Sequence, residues 1–456
     1  MDDTAPGHGL RALARFAASV DARTLPADVV EKARSCLLYA MAVGVASLRA
    51  PQPAQAARVL DADGAATRFV DGARRDALAA ALANGTLFHA RVQDDAHPAG
   101  HVGVVVVPAA LAVAETVAAN GADLLAALVA GYETALRIGR DHTSHASARG
   151  LRSTPLYGVF GAAAAVGRLM RLDARAMRHA LGLAANLAGG LREYSEAGSE
   201  DYAFQAGTAA ANGILAARLA AAGATSADTA LEGKAGFFRA LGEADVDYAA
   251  RLADGLGRDF AMLDVTYKPY PICQFHRGVV RGCIALRERA GAHGPDSIAI
   301  RMHPFEGDFF GVRFAGPFET FPQTFMSAPF CVALAWTRGD VTLAGLTDFA
   351  APDVNALVPR VTIVSDASRA RYAPRIEAHL AGGPMLEWEE VEGADAYRLN
   401  WNAAVRMTAL LTREAGAASD AAQHLVAAVQ TLDATLLTDL IDAMRDACAS
   451  APRSSP

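Results

Sequence analysis

The chain has 456 residues, more than one compact core usually holds, so two domains are expected. Apolar residues make up 52% and charged residues 20%, which suits a globular protein with a large core. A net charge of −7 and a pI near 6.0 leave no electrostatic footprint for DNA or RNA, and no local basic patch supplies one.

Five widely spaced cysteines (Cys36, Cys273, Cys283, Cys331, Cys448) include no C-x-x-C pair. That argues against a disulfide framework, a zinc ribbon or an iron–sulfur cluster and fits a reducing compartment. Met1 to His8 lacks the basic and apolar regions of a secretory signal. The apolar run from Cys36 to Leu48 is too short to span a bilayer and reads as a buried core helix. A cytoplasmic protein with no membrane partner is expected.

From residue 10 to about 260 the pattern is almost wholly helical. Pro26 stands where a first-turn proline belongs, and Val29, Val30, Ala33, Leu37 and Met41 recur at helical spacing. Val107 to Ala118, Leu124 to Gly139 and Phe160 to Met170 read as similar helices, rich in Ala and Gly. Near Tyr267 the pattern breaks, because Pro269 and Pro271 exclude a helix through "YKPYP". Strand-like runs follow at Ser297 to Met302 and Arg360 to Val364, with a helix between them over Phe325 to Trp336. A further strand is expected around Ala404 to Met407, helical periodicity over Asp420 to Cys448, and a disordered tail from Ala451. The fold class is therefore mainly α. An all-helical domain (1–266 and 406–456) carries an inserted smaller α/β domain (267–405).

Chemistry concentrates in Asp94-Asp95-Ala96-His97-Pro98-Ala99-Gly100-His101, two carboxylates and two imidazoles within eight residues. A histidine beside a carboxylate makes an acid–base pair at neutral pH, and Pro98 and Gly100 make the segment a loop. His97 and His101 have the spacing of a metal pair, but that geometry needs a continuous helix, which Pro98 breaks. No metal is expected. Lys268 is a carboxylate clamp, a base, or a solvated hinge lysine. Arg277 and Arg281 fall four apart on a helix and suit a carboxylate or the surface. Cys273 reads as packing, with no neighbour in sequence to lower its thiol pKa. His142 and His145 sit in a polar stretch and either enter a pocket or face solvent. Trp336, Phe325 and Phe330 read as core. Nucleotide-binding and α/β-hydrolase motifs are absent.

Six segments in order, "NGTLFHARVQDDAHPAGHVGVVVVPAALAVAE" (84–115), "GYETALRIG" (131–139), "STPLYGVFGAAAA" (153–165), "LEGKAGFFRAL" (231–241), "YKPYPICQF" (267–275) and "PQTFMSAPFCVALAWTRG" (322–339), resemble the MmgE/PrpD family. The resemblance implies a helical domain with an α/β lid, a homodimer, and a pocket between the domains. It also implies a lyase that dehydrates 2-methylcitrate or decarboxylates cis-aconitate, with epimerisation of iminodisuccinate as the alternative, on a small carboxylate and with no cofactor; a non-catalytic dimeric scaffold of the same fold is the third reading. His101 falls on the family's catalytic histidine, Asp94 and Asp95 on its paired aspartates, and Lys268 on the lysine of "K-P-Y-P".

Departures from the family pattern bear on the reaction. The family's "L-D-F-D-D-T" becomes Arg91-Val92-Gln93-Asp94-Asp95-Ala96, with one acid and the threonine missing. Arg152 replaces a histidine, Tyr202 replaces a lysine, and His276 and Arg277 replace a Thr-His pair. On this reading His101, Asp94, Asp95, Lys268 and Tyr202 are catalytic, and Arg152, His97, His276 and Arg277 bind substrate. Tyr202 serves as a proton donor or simply packs.

Overall fold

A computed structural model describes residues 7–243 and 246–452. The tail expected from Ala451 lies, from residue 453 on, outside the described residues. The chain divides into two compact units. One comprises the described residues up to Leu191 together with Tyr202–Val265 and the chain from Leu399; the other comprises Arg192–Asp201 and Thr266–Arg398. The second unit therefore takes in a ten-residue segment that the sequence reading assigned to the helical domain, and it ends at Arg398 rather than 405.

The first unit is helical apart from short pieces. Its principal helices are α1 (Ala27–Ala46), α2 (Ala77–His89), α3 (Gly103–Thr116), α4 (Gly121–Arg140), α5 (Ser153–Leu169), α6 (Tyr202–Ala221) and α7 (Trp401–Ala415). Among them α2, α3 and α5 are apolar nearly all round, as expected of helices enclosed by others. Helix α6 packs on α2 and α5, α5 on α3 and α4, and α7 on α1. Small residues permit the closest crossing. A Cβ built on Gly85 would stand 2.7 Å from the Gly207 Cα, and one on Gly207 would run into the Leu82 carbonyl. Lys32 of α1 is buried and donates to the carbonyls of Val265 (2.5 Å) and Leu399 (2.7 Å), pinning the two points where the chain leaves and re-enters this unit.

Residues 401–415 correct the expectation of a strand near Ala404. Asn400 caps the helix by accepting from the Ala403 N–H at 2.9 Å. Ala403, Ala404, Met407, Thr408, Leu411, Thr412 and Ala415 then form its buried stripe, a period that only a helix can present.

The second unit is built on a mixed four-stranded sheet of β1 (Pro295–Met302), β2 (Val361–Ser365), β3 (Arg375–Leu380) and β4 (Met385–Glu389), in the order β2-β1-β3-β4. The β1/β2 pair is parallel and the other two pairs are antiparallel. Ile300 stands between Ile363 and Ile376, so one face of the sheet is continuously apolar. That face shares a core with helices Arg277–Ala290 and Ala328–Arg338. Phe325, Phe330 and Trp336 are core as expected, although the helix expected there is broken at Ser327, which caps the second half.

Glu306 lies fully buried in this unit. One carboxyl oxygen accepts the Tyr372 N–H at 2.7 Å, where Tyr372 adopts a left-handed φ of 61°. Burial raises the Glu306 pKa to about 7, against the opposing pull of the Arg371 and Arg277 charges. The unfolded chain releases this proton near 4.5, whereas the fold retains it until about 7. Stability should therefore fall as pH rises across that window and level off above it. Glu306→Gln is expected to flatten this part of the profile, as read from urea midpoints at several pH values. An unchanged slope would mean that another group titrates.

Candidate active site

The 94–101 loop belongs to the helical unit, between the C-terminus of α2 and the start of α3. Its entry is fixed by residues that break the family pattern. The buried Arg91 guanidinium donates to the Gln93 side chain at 2.6 and 2.9 Å, to the Ala46 carbonyl at 3.1 Å and to Glu414 at 2.9 Å. Tyr39 donates to the Gln93 carbonyl at 2.7 Å. Val92 is buried with a φ of 51°, and this reversal lets Asp94 fold back onto α2. A β-branched residue in that region is strained, by about 1–3 kcal/mol.

The two aspartates then take separate tasks. Asp94 meets His89 Nδ1 through Oδ2, and both side chains are almost fully buried. Asp95 points the other way, accepting from the Tyr132 hydroxyl at 2.5 Å and from the Gly103 N–H, at the start of α3, at 3.3 Å. Its backbone carbonyl accepts from His101 Nδ1 at 2.7 Å. That bond puts the imidazole lone pair on Nε2. Asp94 Oδ1 lies 3.9 Å from His101 Nδ1, close enough to favour an imidazolium once a proton arrives. The His101 side chain is 16% exposed, against 1% for Asp94 and His89, so it is the member of this cluster that a solute can reach.

His97 and Gly100 exchange backbone hydrogen bonds at 3.1 and 2.8 Å across a tight turn. Gly100 has a φ of 114°, which disfavours any side chain, and a Cβ there would press on Ser153 and Thr154. The half-buried His97 ring accepts the Ala99 N–H on Nδ1 at 3.1 Å. Burial, then the Lys32 charge, push its pKa down to about 4, so it is neutral at ordinary pH. His97 and His101 face different partners, and no group of three or more metal-ligating side chains occurs among the described residues.

Arg152, expected to bind substrate, lies at the cap of α5. It is buried, Nη1 donates to the Tyr202 carbonyl at 2.7 Å, and Nη2 meets His89 Nε2. Both of these contacts are made with groups of the protein itself. Tyr202 is also fully buried. Its hydroxyl donates to the Ala90 carbonyl at 2.7 Å and its ring stands edge-on to His89 at 5.6 Å, the geometry of a packing and positioning residue. His89 is the functional candidate that the sequence reading missed. A lone histidine ending an otherwise apolar helix five residues before Asp94 was the available signal.

In the second unit Lys268 is buried, which removes the reading as a solvated hinge residue. Its charge, with those of Arg192 and Arg277, acts on the Cys273 thiol, so two cations within five residues of it in sequence and one distant cation do bear on it. Burial still wins and raises the thiol pKa. Arg277 is buried too. It donates to Gln274 O (3.0 Å), Thr266 Oγ1 (2.8 Å) and Tyr267 O (2.9 Å) and stacks 4.7 Å from the Tyr397 ring centre, so much of its donor capacity holds the fold. Arg281 pairs with Glu390 at 3.4 Å. His276, expected to bind substrate, is fully buried, its Nε2 donates to the Met326 carbonyl at 2.8 Å, and burial lowers its pKa to about 4. His142 is likewise buried, boxed by Tyr157, Phe237, Phe238 and Tyr248, while His145 reaches Glu243 at 3.3 Å.

A family model described as the MmgE/PrpD N-terminal domain matches residues 11–249, just over half of the chain. The chain belongs to the MmgE/PrpD family. It is 28% identical over 317 residues to the cis-aconitate decarboxylase-like protein oryM of Aspergillus oryzae, covering 66% of this chain and 65% of that protein. It is also 28% identical over 293 residues to a cis-aconitate decarboxylase of Aspergillus terreus, covering 61% and 60%. The matched part thus spans less than two thirds of these relatives' length. The matched MmgE/PrpD domain contains all of the His89–Asp94–Asp95–His101–Arg152–Tyr202 cluster. No helix among the described residues is long and apolar enough to cross a membrane.

Proposed function

We propose that the protein is a lyase acting on a small di- or tricarboxylic acid by proton transfer at the carbon next to a carboxylate, with His101 as the acid–base group. The observation that carries this reading is the His101 ring. Its Nδ1 donates to the Asp95 carbonyl at 2.7 Å, its lone pair is on Nε2, and the Asp94 carboxylate lies 3.9 Å away. An imidazole so held can accept a proton through Nε2, be stabilised as an imidazolium, and return the proton. The cis-aconitate decarboxylase and its like among the relatives favour loss of CO₂ as the outcome. Lys268, buried close enough to Arg192 and Arg277 for all three to act on Cys273, is the candidate for binding a substrate carboxylate. The protein works as a homodimer without a cofactor in this reading.

Epimerisation of an iminodisuccinate-like acid is the second reading. Arg152 and Tyr202 are committed within the protein, which leaves a reduced set of acid–base groups. Proton removal and return needs fewer groups than expulsion of water or CO₂.

Proton NMR of chelator-treated protein in D₂O with 2-methylcitrate, cis-aconitate and iminodisuccinate separates these readings. New alkene signals or a lost carboxylate are expected. Deuterium entering the α-position without loss of a group would replace the lyase by the epimerase, and activity abolished by chelation would overturn metal independence. Silence with every acid would count against the carboxylate-directed reading itself.

A further inference from the structure

We propose that His89 is a positioning residue whose proton is fixed by Arg152, and that it keeps Asp94 ionised beside His101. This deepens the acid–base reading of His101 and rests on it. The argument lies in which groups can donate. A guanidinium has donors only and stays charged at any ordinary pH, so its contact with His89 Nε2 requires the lone pair on that nitrogen. The single proton of a neutral His89 must then sit on Nδ1, where it faces Asp94 Oδ2. Asp94 receives that proton as an acceptor, and its other oxygen is turned toward His101 at 3.9 Å.

The surroundings leave His89 little room to rotate. The ring is fully buried, and Tyr202 stands edge-on to it at 5.6 Å. Tyr202 is held at both ends, its hydroxyl on the Ala90 carbonyl and its own carbonyl on Arg152. Arg152 is held in turn by its backbone N–H on the Gly190 carbonyl at 3.0 Å. A histidine at position 152 could donate or accept toward His89; an arginine can only donate. The order of protons from residue 152 to Asp94 therefore has one direction. Removing the His89 donor takes one hydrogen bond from a buried carboxylate, and that loss shifts the carboxylate toward its protonated form.

The test is ¹⁵N NMR of histidine-labelled protein, which needs no substrate. In the parent protein His89 should be a neutral imidazole with its proton on Nδ1 throughout pH 6 to 9, about the range open to measurement; its signals are assigned through His89→Asn. A proton on Nε2, or an imidazolium, would overturn the proposal. In His89→Leu, protonation of Asp94 should lower the titration midpoint of His101 by about half a unit or more. His89→Asn retains a donor toward Asp94 and should restore most of that shift, which a merely structural role would not do. A His101 midpoint unmoved in the folded His89→Leu protein would also overturn it. If His101→Gln retains full turnover, the acid–base reading fails on its own, whatever the His89 tautomer proves to be.

Discussion

His101→Gln is expected to turn over whichever of 2-methylcitrate, cis-aconitate and iminodisuccinate the parent converts at least ~10²-fold more slowly than the parent does. The loss should fall on kcat, with KM little changed. Glutamine keeps a polar, similarly sized side chain and can still donate to the Asp95 carbonyl that now holds Nδ1 at 2.7 Å. It has no basic lone pair like that of Nε2 and cannot carry the positive charge that Asp94 favours from 3.9 Å. The substitution thus removes proton transfer while keeping the tether. A rate within about threefold of the parent would eliminate His101 as the acid–base group.

Gly207→Val should destabilise the protein by about 2–4 kcal/mol, read from chemical denaturation. A Cβ at 207 runs into the Leu82 carbonyl and the Thr86 hydroxyl, and Gly85 already crosses the Gly207 backbone with no room to spare. Backbone cannot move aside as a flexible side chain can, so α2 and α6 must separate. Gly189→Ala is the control: a Cβ there meets nothing within 4 Å and should change stability little. The effect should reach the site as well, because α2 carries His89 at its end and α6 begins with Tyr202. Equal stability of Gly207→Val and the parent would refute the tight crossing.

Much of the helical unit was legible because its signals are local. The stripes of α1 and α4, the prolines of "YKPYP" and the eight-residue run of acids and imidazoles can each be read within one window. The loop was legible as a chemical site; its division of labour was not. Asp94 and Asp95 are neighbours with opposite orientations, decided by His89 on one side and Tyr132 on the other. Arg152 reaches His89 across 63 residues, and no short-range pattern reports that contact. Strands β3 and β4 hid for another reason. In β3, polar Arg375, Glu377 and His379 alternate with apolar Ile376, Ala378 and Leu380, a period of two that is present in the sequence but was passed over among the charged residues around it. Residues 404–407 offered too few positions to separate a period of two from one of 3.6.

Val92 has a consequence for how this sequence can drift. Its backbone is bent against its own side chain at the point that returns Asp94 to His89. Glycine or asparagine would sit there more comfortably, so selection for robustness alone would favour replacing it. Glycine would also give the loop other paths to follow, and the aspartate would no longer be bound to return. A lineage that kept only the fold would be expected to relax at this residue, whereas one that kept the chemistry would retain the bend.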